Sequence, residues 1–360
     1  MRIIFSIALL LTALHAAAQK IENIIVVTTD GLRWQEVYGG MDSAIANNKK
    51  FHKGDSAYIF KQYWAATAEE RRQKLLPFMW STIAAKGQLY GNRKYGNFVN
   101  NANPYWFSYP GYSEIMTGYA DTSINSNSYK PNPHVTVLEF LNQQQKLKGK
   151  VAAFGAWEAF NRILNEERSG IPVVAAYDTA IGPALSAEQQ LVNNMLLHSY
   201  KPWHEDECLD VFTHYAAMAH LKAKKPKVLY IAYGETDEWA HAGQYRSYLD
   251  AAHQVDAWLQ QLWNYVQSDP QYKNKTALFI TTDHGRGDAV KAEWTSHGNS
   301  IKDASEIWFA VMAPGLPAKG EVKAAQQLYQ QQFAQTIAKL LGYTYTAQHP
   351  VAGAVTEIFK

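Results

Sequence analysis

The stretch IIVVTTD, residues 24–30, is an unbroken apolar, β-branched run that ends on a carboxylate. Two later stretches end the same way: VLYIAYGETD at residues 228–237 and ALFITTD at residues 277–283. Asp30, Asp237 and Asp283 therefore each close a candidate strand. Continuous apolar character, without in/out alternation, suits strands covered on both faces, as in parallel sheets whose crossover helices coat each side. The intervening segments fit that picture, because residues 209–224, 250–266 and 326–341 carry apolar side chains at helical spacing. Further strand candidates are residues 151–157, 173–176 and 307–313, the last closed by Pro314 and Gly315. The expected fold is α/β, with a doubly wound, mostly parallel central sheet and helices on both faces.

Met1 and Arg2 open the chain, followed by a mainly apolar stretch to Leu14 and then Ala16, Ala17 and Ala18. A positive start, an apolar core and small residues at the exit read as a secretory signal peptide, residues 1–18, cleaved after Ala18. Spanning a bilayer takes about 20 apolar residues, and no later segment is long and apolar enough. The mature protein is thus expected to be periplasmic or secreted, without a membrane span, and the absence of a Cys after the signal argues against a lipid anchor. Residues 19–360 read as a single domain, with no internal repeat and no linker rich in Pro, Gly or Ser. The hydrophobic share of 47% is ample for a substantial core. Cys208 is the single cysteine, which excludes an internal disulfide framework and a thiolate zinc cluster. A formal charge of +2 is too near neutral for nucleic acid or an anionic membrane as main partner, and the basic run at residues 222–227 reads as a solvated connection.

Ligands of open parallel sheets bind beyond the carboxyl ends of the strands, so three strand-end aspartates are placed to converge on one rim. His241 follows Asp237 by four residues, a spacing that puts both side chains on one face of a helical turn. His284 directly follows Asp283, and His297 lies in WTSHG at residues 294–298. Three carboxylates and three imidazoles suit zinc or a similar divalent ion, whereas calcium and magnesium favour nearly all-oxygen shells. Six such residues divide naturally between two ions. Any one of them alone reads more simply as a cap, a turn former or a structural histidine. His52, His134, His214 and His253 follow no strand-end carboxylate at ligand spacing, and no apolar strand leads into His204, Glu205 and Asp206.

Residues 107–118, FSYPGYSEIMTG, supply a candidate nucleophile in an otherwise loop-like region spanning residues 90–133. Pro110 is suited to open a helix, which would place Ser108 at its N-terminus, where unpaired N–H groups and the helix dipole favour an alkoxide and a phosphate. Taken alone, this serine is a helix cap.

The order of these parts resembles the alkaline phosphatase superfamily, and within it the nucleotide pyrophosphatase/phosphodiesterase branch, over essentially the whole mature chain. That family presents an early strand-end Asp, a Ser or Thr before a Pro-containing turn and a Thr-Gly helix end, an Asp-x-x-x-His pair, Asp-His-Gly, and a final His. Here the matching residues are Asp30, Ser108, Asp237 with His241, Asp283 with His284 and Gly285, and His297. The resemblance implies one ion held by Asp237, His241 and His297, and another by Asp30, Asp283 and His284 together with Ser108. It further implies a hydrolase of small phosphate esters, nucleotides among them, that works through a phosphoserine. Related diesterases steady a phosphate oxygen with an Asn downstream of the nucleophile, which makes Asn127 a candidate substrate contact, with Asn125 close behind; either also suits a turn. Arg162 has the geometry to grip phosphate, or is simply ion-paired.

The chain departs from that branch in carrying Gly111 and Tyr112 where many diesterases have Asn-His, which leaves monoester against diester open. Ser108-Tyr109-Pro110 is also similar to a sulfatase signature, yet Tyr112 stands where that signature needs Arg. A phosphomutase lacks room here for its inserted domain. Outside enzymes, the alternative is a phosphate- or sugar-phosphate-binding protein that keeps the metal shell without turnover. Tyr105, Trp106 and Phe107 form either a base-stacking platform or part of the core.

Overall fold

The computed structural model describes residues 21–180 and 184–360, so the signal-peptide assignment lies outside the described residues. Among the described residues there are ten strands: β1 (Asn23–Thr29), β2 (Gln88–Tyr90), β3 (Asn97–Asn100), β4 (Val151–Gly155), β5 (Val173–Ala175), β6 (Val228–Tyr233), β7 (Thr276–Thr281), β8 (Phe309–Met312), β9 (Gly320–Glu321) and β10 (Gln326–Tyr329). Eight form one sheet in the order β5-β4-β6-β1-β7-β8-β2-β9, and β3 pairs with β10 separately. Within the large sheet β8 alone runs against its neighbours. The expected mostly parallel, doubly wound sheet is what forms.

Why β1 reads as a continuous apolar run is visible in its surroundings. Ile25 and Val27 enter one hydrophobic cluster with the helices Asp210–Lys224 and Tyr245–Ser268. Ile24 and Val26 enter another, on the opposite face, with Ser108–Thr117, Val137–Gln143 and Phe333–Leu340. Both pleat faces are dry, so a polar side chain there needs a partner, as Thr28 Oγ1 has in the Tyr230 hydroxyl at 2.8 Å. With β6 and β7 as its parallel neighbours, β1 is central, and its carboxyl end lies between theirs.

The apolar spacing over residues 326–341 is not one helix: it comprises β10, a short 3-10 turn and the helix Phe333–Leu340. Strand β10 exists because β3 offers it a parallel partner, a long-range pairing that local periodicity does not register. The region 90–133 is mostly loop, as its composition indicates, and within it lie β3 and the ten-residue helix Ser108–Thr117, which starts at Ser108 as expected. Among the described residues no helix is long and apolar enough to cross a membrane, and Cys208 is free and buried.

The sheet's flank carries a pH-dependent weakness. His214 is fully buried, its Nε2 2.8 Å from Gln261 Oε1 and its Nδ1 2.8 Å from the Tyr233 hydroxyl. Since that amide oxygen only accepts, Nε2 carries the proton and Nδ1 accepts from Tyr233. Burial holds His214 down at about 4, and likewise His220, which packs beside Phe154. An unfolded histidine titrates near 6.5, so between the two values the unfolded chain binds more protons. Stability is therefore complete above about pH 6.5 and is lost as pH falls toward 4, by up to roughly 1.4 kcal/mol per unit for each histidine. Urea unfolding at pH 7 and pH 5 checks this: His220→Gln is expected to shrink the loss between those pH values by up to about 2 kcal/mol. An unchanged loss would mean that His220 does not have to be neutral in the fold.

Candidate metal centre and nucleophile

Asp30 follows β1 directly, and its backbone N–H donates to Tyr233 O at 2.9 Å, tying the ends of β1 and β6 together. Asp283 lies two residues beyond β7 and is fully buried. Asp237 is not at a strand tip: β6 stops at Tyr233, Gly234 intervenes, and Asp237 sits in the helix Glu235–His241. The i, i+4 spacing with His241 holds nonetheless, with His241 Nε2 2.9 Å from Asp237 Oδ2.

All six candidate ligands converge. The ligand atoms of Asp30, Asp283 and His284 lie within 4.8 Å of one another, as do those of Asp237, His284 and His297. His284 Nε2 stands between the groups, 3.2 Å from Asp30, 3.4 Å from Asp283 and 3.8 Å from Asp237. Its Nδ1 is 2.9 Å from Gly285 O, to which it donates, and that turns Nε2 toward the carboxylates. His241 completes the set from the solvent side, its Nε2 2.9 Å from His297 Nε2.

This arrangement fits divalent cations. Asp30 Oδ1 and Asp283 Oδ2 are buried without a hydrogen-bond partner, which costs free energy unless something positive meets them. The electrostatics agree. Burial, then the charge of Asp237, raises Asp30; burial, then Asp30, pushes Asp283 well above the carboxylate range. At His284 burial presses downward, but the carboxylates of Asp283, Asp30 and Asp237 prevail and lift it to about 9. Asp237 is depressed well below its usual range despite burial, because Arg286, His241 and His297 face it.

Gly31 is what permits such crowding. Its φ is +57°, and a Cβ there would lie 2.6 Å from Asp237 Oδ1 and 2.9 Å from Arg286 Nη1. The Gly31 N–H donates to Asp283 Oδ1 at 3.1 Å.

Ser108 begins a helix whose ten residues are all buried, with Phe107 extended before it. Its Oγ lies 3.4 Å from His284 Nε2, which places the hydroxyl at the rim of the cluster. Trp106 adopts φ +53°, a conformation uncommon for a bulky residue, while its carbonyl accepts from Gly298 N–H at 2.9 Å. The segment ahead of Ser108 is thereby bound to the segment that bears His297. Tyr105, Trp106 and Phe107 are partly exposed beside Ser108 and do not enter the core.

Asn127 is exposed, and its Oδ1 accepts from Tyr109 N–H at 3.0 Å, so it sits at the same helix N-terminus as Ser108. Asn125 is also exposed and has no such bond. Arg162 is ion-paired with Glu158 at 2.5 Å and donates to the carbonyls of Tyr129 and Asn127 at 3.1 and 3.3 Å. Its role there is to hold the Asn127 loop.

Several participants carry no signal in the sequence. The Tyr112 hydroxyl donates to Asp30 Oδ2 at 2.9 Å, orienting that carboxylate. Asn101 and Gln330 donate to the Asp283 carbonyl at 2.6 and 2.7 Å. Gly111 lets the serine helix lie on that same carbonyl, which a Cβ would meet at 2.5 Å. Arg286, fully buried, pairs with Asp237 and donates to the carbonyls of Trp294 and Thr295, three and two residues before His297. The Asp-His-Gly run points to Arg286 by adjacency alone; the others need the folded chain.

A family model described as the Metalloenzyme superfamily matches residues 127–343. No curated protein matches the sequence. Among solved structures, wild-type alkaline phosphatase PafA aligns with a TM-score of 0.61 at 10% identity, covering 95% of this chain and 99% of its own. A putative sulfatase from Bacteroides thetaiotaomicron aligns at 0.61 and 14% identity, over 94% and 75%. The phosphonate monoester hydrolase SpPMH from Silicibacter pomeroyi aligns at 0.55 and 14%, over 94% and 76%. At these identities the likeness is one of fold.

Proposed function

The chain belongs to the Metalloenzyme superfamily, whose fold is that of the alkaline phosphatases, and on that premise we propose that it is an exported two-metal hydrolase of phosphoric esters, with Ser108 as nucleophile. The observation that carries this reading is the position of Ser108 Oγ, at a helix N-terminus and 3.4 Å from the nitrogen shared by both groups of ligand atoms. Asp237, His241 and His297 would hold one ion, and Asp30, Asp283 and His284 the other, next to Ser108. The mixture of nitrogen and oxygen donors favours zinc. Bound ions of this kind supply Lewis acidity, which eases deprotonation of oxygen nucleophiles and offsets charge on a departing oxygen.

In the first step Ser108 Oγ forms a bond to phosphorus as the P–O bond to the alcohol breaks in line, and the alcohol leaves with a proton. Water then attacks the phosphoserine, the P–Oγ bond breaks, and phosphate leaves with Ser108 restored. The helix N-terminus behind Ser108 favours the phosphoryl charge. Asn127, fixed by its bond to Tyr109 N–H, has an amide suited to a phosphate oxygen. Tyr112 and Arg286 hold Asp30 and Asp237 in place throughout. Tyr112 also occupies the position where the sulfatase signature needs Arg, which disfavours a sulfate ester. The partly exposed aromatics Tyr105, Trp106 and Phe107 border this site and suit an organic group on the ester.

Purified mature protein assayed with zinc and after chelation, against para-nitrophenyl phosphate, bis-para-nitrophenyl phosphate and para-nitrophenyl sulfate, tests the reading. Expected is phosphate-ester cleavage that chelation removes and zinc restores, with the sulfate ester slower by at least about two orders of magnitude. Chelation-resistant cleavage, or sulfate as the best substrate, would overturn it.

A further inference from the structure

The formal charge of +2 is unevenly placed. Metal ligands follow the carboxyl ends of β1, β6 and β7, and the opposite edge of the sheet, about 20 Å away along strands of this length, is rich in lysine. There Lys227 N–H donates to Lys150 O at 2.8 Å, Ile24 N–H to Lys227 O at 2.8 Å and Asn23 N–H to Lys275 O at 3.1 Å, so these three lysines stand in one row before β4, β6 and β7. Lys146 shares a hollow with Lys227, and Lys224 shares another with Lys150. Lys273, exposed, adds to the row beside Lys275. Two lysines of this edge are neutralised, Lys222 by Glu188 at 2.7 Å and Lys225 by Asp269. The rest enter no ion pair among the described residues, and of the described residues lining the two hollows Glu22 alone is acidic. The basic run at residues 222–227 is thus part of a wider positive edge and not an isolated solvated connection.

An apolar ridge begins at the same edge. The helix Ala187–Leu197 starts where Glu188 meets Lys222 and where Ala184 O accepts from Lys224 Nζ at 3.2 Å. Leu191 and Met195, one turn apart on it, are 59% and 55% exposed. With Val211, Phe212 and Met218 of the helix Asp210–Lys224 they line an open groove of about 410 Å³. Large apolar side chains left in water on neighbouring turns mark a surface that meets a partner.

Charge and apolarity together say which partner. A polyanion in water would neutralise the lysines and offer nothing to Leu191 and Met195. A second copy of the chain would bring its own lysines to the contact. An anionic bilayer answers both features, because its phosphate head groups attract lysines and its acyl boundary, roughly 5–10 Å deeper, takes apolar side chains. Counted along the helix, Leu191 and Met195 lie about 5 and 10 Å from Glu188.

We propose that the lysine edge and the ridge of Leu191 and Met195 dock the protein on an anionic lipid bilayer, with the metal rim on the far side of the sheet. Docking of this kind does not depend on the ester chemistry. Co-sedimentation of the mature protein with vesicles of phosphatidylglycerol and phosphatidylcholine in equal parts, and of phosphatidylcholine alone, tests it. Binding to the anionic vesicles is expected to be at least about tenfold tighter at low salt and to fall away in about 0.5 M salt. The triple variant Lys146→Glu, Lys150→Glu, Lys273→Glu, and separately the double variant Leu191→Ser, Met195→Ser, should each weaken that binding by about tenfold or more. All five side chains are exposed, so both variants should keep the thermal midpoint of the unaltered protein. Equal binding to the two kinds of vesicle would overturn the proposal, as would either variant, folded by that criterion, binding as well as the unaltered protein. Lysine-dependent binding to heparin without binding to vesicles would assign the edge to an anionic polymer instead. A dimer that the Leu191→Ser, Met195→Ser variant dissolves, again without vesicle binding, would assign the ridge to a second copy.

Discussion

Ser108→Ala is expected to lower kcat for phosphate-ester hydrolysis by on the order of 10³ or more, with both ions still bound. The polar contact made by Ser108 Oγ is to His284 Nε2 at 3.4 Å, so its loss leaves the ligand residues in place. The helix is secured independently by its buried length, by Asn127 on Tyr109 N–H, and by Glu114, whose carboxylate accepts from Ala102, Asn103 and Gln331 N–H. The variant should therefore fold, bind zinc with near-unaltered stoichiometry and fail in chemistry. Steady-state rates with metal analysis on the same sample check it. Residual activity within about tenfold of the unaltered protein would mean that water attacks phosphorus directly.

Gly31→Ala is expected to damage the site without touching a ligand. At φ +57° an L side chain costs about 1–2 kcal/mol. The added Cβ would also lie 2.6 Å from Asp237 Oδ1, 2.9 Å from Arg286 Nη1 and 3.3 Å from His284 Cε1. These groups are held from several sides, Arg286 by the carbonyls of Trp294 and Thr295, and cannot retreat independently. Metal affinity should fall by about 10–100-fold, with activity partly recovered in excess zinc, as for other losses of supporting structure around a metal. Gly39→Ala is the control, since a Cβ there meets nothing within 4 Å. Isothermal titration of the chelated protein with zinc distinguishes the two; equal affinities would show that the approach at Gly31 is not what arranges Asp237.

Much of this was legible from the chain because the residues involved advertise themselves locally. IIVVTTD and ALFITTD are apolar on both pleat faces and end in acid, which fixes strand, burial and rim at once. Asp237 and His241 announce a shared helical face, although the strand before them stops earlier than its apolar run suggests, at Tyr233, where Gly234 opens the turn. What stayed hidden depends on partners distant in sequence. Tyr112 looks like a core aromatic until the fold brings its hydroxyl to Asp30, 82 residues away. Asn101 and Gln330 are ordinary amides until both reach the Asp283 carbonyl. The helical reading of residues 326–341 failed for a related reason: strand β10 is stabilised by β3, more than two hundred residues earlier.

The central claim is that a phosphoryl group resides on Ser108 between two displacements. Its most direct test is to quench the zinc-loaded protein in acid during turnover of para-nitrophenyl phosphate or its bis-ester, then locate the phosphoryl group by peptide mass spectrometry. An acid-stable phosphoserine is expected at Ser108, absent without zinc and absent from Ser108→Ala. Steady turnover with no phosphoryl adduct at any quench time, or an adduct on another residue, would contradict it.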